Sequence, residues 1–117
     1  MSRKCSLVAV ANELHASAGR DPAQRAARTV VGGSERVMRQ TVVSLMTDAS
    51  LTEHENPGEA TVYVLKGRVE LSTGKDTWEA RSGDLVEIPD QRHALRALED
   101  SSVLLTAVPR EFARSGA

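Results

Sequence analysis

The spacing of apolar residues along this chain changes once, near residue 20. Before that point Leu7, Val8, Ala11 and Leu14 recur as one face of a helix. Ser6 stands where an N-cap would, and Gly19 where the helix would end. The polar stretch "GRDPAQ" then forms a connector in which Pro22 breaks helical continuity. From Arg25 onward the pattern shortens. "AARTVVGGSERVMRQTVVSLM" reads as a strand, a Gly32-Gly33 turn and a second strand, and "TDAS" makes the next turn. "LTEHE", "ATVYVLKG", "RVELSTG", "DTWEARSG", "DLVEIP", "HALRAL" and "SSVLLTAV" follow, each bounded by Gly, Pro, Asp or Ser. Many short strands at even spacing predict a β-sandwich or barrel, an all-β fold with a short N-terminal helix. The expected division is residues 1–24 for helix and connector, 25–109 for the β-barrel, and 110–117 for a flexible tail from which Phe112 packs back.

Alternation within strands assigns faces. His54, Asn56, Ala60, Val62, Val64, His93, Leu95 and Ala97 are expected to share the barrel interior. For the strand over residues 36–46 two registers compete. One turns Met38, Gln40, Val42 and Ser44 inward; the other turns Arg39, Thr41, Val43 and Leu45 inward. The pattern leaves both open.

Composition narrows the functions. The formal net charge is -1, so no basic stripe is available to track phosphates, and no nucleic-acid partner is expected. Tyr63, Trp78 and Phe112 are the whole aromatic set, too few for base stacking and enough only for a core built from aliphatic residues. No apolar run approaches the roughly 20 residues that cross a bilayer. The start "MSRKCSLVAVANELHASAG" also mimics a secretory signal, but Asn12, Glu13 and His15 interrupt its apolar run, which favours the helix and a cytoplasmic chain. Cys5 is the single cysteine and has no partner for a disulfide. There is no G-x-S-x-G elbow and no glycine-rich phosphate loop.

Two segments carry a family resemblance. "VYVLKGRVEL", turning at Gly67, resembles the end of the first motif of the small single-domain cupins, and "SGDLVEIPDQRHALRAL", with Gly83, Pro89 and His93, resembles the second. "EHENPGEATVYVLKGRVEL" with "HALRALEDSSVLLTAV" is more loosely similar to short actinobacterial-type cupins of unassigned function. The resemblance implies an RmlC-like jelly-roll barrel. It also implies where a metal would sit, because metal-binding members use two histidines and a glutamate from the first motif and one histidine from the second. His54 falls at the first histidine position and His93 at the last. Asn56 stands at the second histidine position, and Ala60 at the glutamate position, with Glu59 one residue away on the opposite face.

The cage is therefore degenerate. The leading expectation is a non-catalytic cupin homodimer holding a small organic molecule in its barrel, with His54, Asn56, Ala60, Val62, His93, Leu95 and Gln40 around the ligand. The alternative is a metal-dependent dioxygenase or isomerase. It would hold a divalent ion (Fe, Mn, Zn or Ni) weakly through His54, His93 and Glu59, the carboxylate turning inward at a bulge near "NPGE".

Overall fold

The structure, a computed structural model, describes residues 3–54, 58–88 and 92–109, and for residues 52–54 the backbone alone. The described residues form one helix, α1 (Leu7–Arg20), followed by β1 (Arg25–Val31), β2 (Arg39–Leu45), β3 (Ser50–His54), β4 (Gly58–Lys66), β5 (Arg68–Ser72), β6 (Thr77–Arg81), β7 (Leu85–Glu87), β8 (His93–Ala97) and β9 (Ser101–Pro109). The strands pair antiparallel in two sheets, in the orders β1-β2-β9-β4-β7 and β3-β8-β5-β6.

Helix α1 begins as its sequence dictates: the Ser6 hydroxyl accepts the Ala9 amide at 3.2 Å. It ends later than expected. Gly19 lies inside the last turn, and Asp21 is the C-cap, extended at φ −84° and ψ 139°, as the residue before a proline prefers. Val8 is also corrected. It is 72% exposed, while Val10, Ala11, Leu14 and Ala18 are buried. At about 100° per residue Val8 swings off the stripe that Val10 joins.

That stripe lies on the outer face of the five-stranded sheet, against Val42, Ala26, Val30 and Leu104. Beneath it Ser44 and Ser102 share a hydrogen bond of 2.7 Å, and Ser44 reaches the Ala11 carbonyl at 3.4 Å. Two buried hydroxyls are thereby satisfied without a charged group. At the surface Arg28 pairs with Glu13 at 2.7 Å, tying strand β1 to the helix.

The main core lies between the sheets and contains Val43, Leu45, Val62, Val64, Val69, Leu71, Leu95, Ala97 and Val103. Its composition decides between the two registers of β2. Val43 and Leu45 face the barrel interior, and Val42 and Ser44 face the helix. At the sheet edge the Arg25 guanidinium donates to the Ser50 carbonyl at 2.7 Å, bridging β1 to β3 of the other sheet.

Turn chemistry explains two further features. Gly67, at φ +87°, joins β4 to β5, and a Cβ there would run into the Ser101 hydroxyl and the Asp100 carbonyl. Both the conformation and the close approach require glycine. The Gly32-Gly33 pair, expected as a tight turn, opens a longer loop over residues 32–38, because β2 resumes pairing only at Arg39. Phe112 and the rest of 110–117 lie outside the described residues.

Candidate functional site

Following the inward rows along the barrel locates its open space. Val43, Val103 and Val64 form one row across β2, β9 and β4. Two residues along comes Thr41, Leu105 and Val62, and two further Arg39, Ala107 and Ala60. On β9 and β4 branched side chains give way to methyl groups, and the space between the sheets is no longer filled. The result is a cavity of about 120 Å³. Leu51, Leu71 and Leu95 wall it from one sheet, and Ala60, Val62, Leu105 and Ala107 from the other. Ile88, His93, Thr61 and Thr106 complete the lining.

His93 is the one titratable side chain on that wall among the described residues, and it is 5% exposed. Its position follows from strand β8, whose buried residues His93, Leu95 and Ala97 alternate with Ala94 and Arg96. Strand β3 supplies the facing position by an irregularity. Leu51 pairs with Leu95, and continued without interruption that register would set Glu53 against His93. A bulge intervenes, and the observed Cα partner of His93 is His54. Directly opposed positions have Cα atoms about 5 Å apart, and bulges recur beside functional sites because they re-aim one strand.

Of the residues expected around a ligand, Ala60, Val62, His93 and Leu95 line the cavity. Asn56 lies outside the described residues. Gln40 does not reach the cavity. It shares the row of Val42 and Ser44, and its amide donates to the Thr106 hydroxyl at 3.0 Å. Glu59 is also corrected as a metal ligand. The β4–β9 ladder runs without interruption from Gly58 to Val64, its irregularity falling between Val64 and Lys66, and Glu59 is exposed. No bulge turns its carboxylate inward. Among the described residues no three His, Cys, Asp or Glu side chains form a group that would hold a metal. With Ala60 presenting a methyl where a carboxylate would be needed, the described donors do not fit the three or four ligands that divalent first-row ions usually take.

The lining that sequence reasoning missed includes Leu105 and Ala107, which stand beside Val62 and Ala60 and become visible once the β4–β9 ladder is known. Register was the missing information.

Two antiparallel sheets closed over an aliphatic core, with one histidine-bearing cavity at the open end, define a jelly-roll barrel. The chain belongs to the cupin family: the Cupin_2 cupin domain matches residues 41–109. It is similar to the structure of a conserved protein of unknown function from Streptococcus pyogenes, with 30% identity and a TM-score of 0.67 over 76% of this chain and 77% of that one. A protein of unknown function from Rhizobium leguminosarum bv. viciae matches over 93% of this chain and 98% of its own, at 23% identity and a TM-score of 0.68. An RmlC-like cupin protein from Desulfovibrio desulfuricans shares the fold at 24% identity and a TM-score of 0.63, over 73% and 82% of the two chains. No curated protein matches. Among the described residues no helix is long and apolar enough to cross a membrane.

Proposed function

We propose that this cupin binds a small, largely apolar organic molecule in its barrel, with the imidazole of His93 as the polar anchor. The observation that carries this reading is the 120 Å³ cavity with one buried histidine on an otherwise mainly aliphatic wall. An apolar cavity of about 150 Å³ takes up benzene, so the part of the ligand enclosed here is on the order of six heavy atoms. Pockets for drug-sized molecules are larger, about 300–1,000 Å³. Aliphatic walls give affinity through apolar burial, and a single imidazole fixes orientation by one hydrogen bond. The site has the character of a degenerate metal cage in which Ala60 has made room for ligand. The pair of motif segments supports placement among short cupins of actinobacterial type. A cytoplasmic homodimer completes the reading; the outward pair Tyr63 and Leu85, 38% and 65% exposed on adjacent strands, supports a dimer.

The test is ligand-observed NMR against a set of small phenols, aromatic aldehydes and short-chain acids, run on the protein and on Val62→Phe and His93→Ala. Binding that Val62→Phe abolishes and His93→Ala weakens supports the reading. Binding indifferent to both substitutions refutes it.

A second reading, a metal-dependent dioxygenase or isomerase, draws support from the bulge that opposes His54 to His93. It loses Glu59 as its carboxylate. Elemental analysis of purified protein, with and without His54→Ala, decides it: stoichiometric metal lost in the variant would favour the enzyme.

A further inference from the structure

A second recess, of about 740 Å³, lies on the opposite side of the five-stranded sheet, where the N-terminal segment passes the loop between β1 and β2. Three cationic residues line it, Arg3 and Lys4 from the segment before α1 and Arg36 from the loop. No carboxylate is among its lining residues, and none of the three is ion-paired among the described residues. What sets the recess apart is that three cationic residues share one lining without a carboxylate, in a chain whose net charge is -1. The rest of the recess is amphipathic, with Leu7, Val30 and Leu104 supplying apolar surface and Gln40 polar surface.

We propose that this cleft is a second binding site, separate from the barrel cavity, for a small organic oxyanion with an apolar body, such as an aryl or alkyl phosphate. Three like charges drawn from two chain segments around one recess repel each other. An anion among them relieves that repulsion and gains charge-assisted hydrogen bonds from the guanidinium groups. The aliphatic side chains beside them take the apolar body, which distinguishes the site from a general phosphate-binding surface.

Cys5, exposed and the single cysteine of the chain, also lines the cleft and reports on it alone. The experiment measures the rate of Cys5 alkylation by neutral iodoacetamide, by mass spectrometry, with phenyl phosphate as probe. Saturable protection is expected, reaching about fivefold at four times Kd by mass action, and weakening as salt is raised. Inorganic phosphate should protect much less. Lys4→Glu/Arg36→Glu should lose the protection; Glu at residue 4, just before the helix, suits its N-terminus, so the variant is expected to fold. His93→Ala should leave protection unchanged, which separates this site from the barrel reading. An unchanged alkylation rate overturns the proposal. So does equal protection by inorganic phosphate, protection retained in the double variant, or protection lost in His93→Ala.

Discussion

The two ends of the barrel are built from the same strands and differ in side-chain volume. At the closed end Val43, Val64 and Val103 stand in one row across three strands, each buried to within a few per cent. At the open end β4 and β9 carry Ala60 and Ala107 at the corresponding positions, and the space left is the cavity beside His93. No strand leaves its sheet to make the site. The β4–β9 ladder stays regular through the change, and the backbone that holds the core also forms the cavity wall. The cavity is a place where packing is omitted on a regular ladder, so stability and occupancy of the cavity should separate between the two ends.

The most severe test of that separation is Leu45→Ala. Leu45 is fully buried in the closed end, and its truncation should cost about 2–5 kcal/mol, through lost burial and the void left behind. Urea unfolding measures it, and a cost below about 1 kcal/mol would mean that the closed end is not tightly packed. Gly67→Ala should come next, at about 1–3 kcal/mol, because the positive φ is strained for alanine and its methyl meets Ser101 and the Asp100 carbonyl. Thermal unfolding reads this directly.

Ala60→Val sharpens the comparison from the other end. Added methyl groups enter open space, so stability should change by less than about 1 kcal/mol, while the cavity shrinks and uptake of any barrel ligand falls. A loss of stability as large as that of Leu45→Ala would show that Ala60 is already close-packed.

The smallest effect concerns the loop that joins the sheets. The Thr47 amide and hydroxyl donate to the Asp100 carboxylate at 2.8 and 2.9 Å. These bonds, the amide first, hold its pKa below the ordinary aspartate value, outweighing desolvation, with help from nearby His15 and Lys66. A depressed carboxylate pKa stabilises the fold above the unfolded-state value, near pH 4, and that contribution is lost as pH falls through the lower folded value. Asp100 is exposed, so solvent screening keeps the contribution small. Asp100→Asn should reduce the stability difference between pH 6 and pH 3 slightly, and an unchanged difference in urea unfolding would remove Thr47 as the cause.

Much of this protein was readable along the chain. Ser6 caps α1, most of the expected strands appear within their turn boundaries, and Gly67 sits where its turn requires it. His54 and His93, matched to two distant motifs, turn out to be backbone partners across β3 and β8. Those features depend on neighbours in sequence, through caps, turns and periodicity, or on motif spacing.

Tertiary structure decided the rest. Strand β2 is covered on both faces, by the opposite sheet and by α1, so its alternation offered no polar side from which to read the register. Gln40 went to the outer face for that reason. Glu59 points outward because the ladder with β9 runs through it without a bulge, while β3 has one that brings His54 opposite His93. A one-residue slip reverses every side chain on a strand, and whether it occurs is set by the partner strand, which the local sequence does not contain.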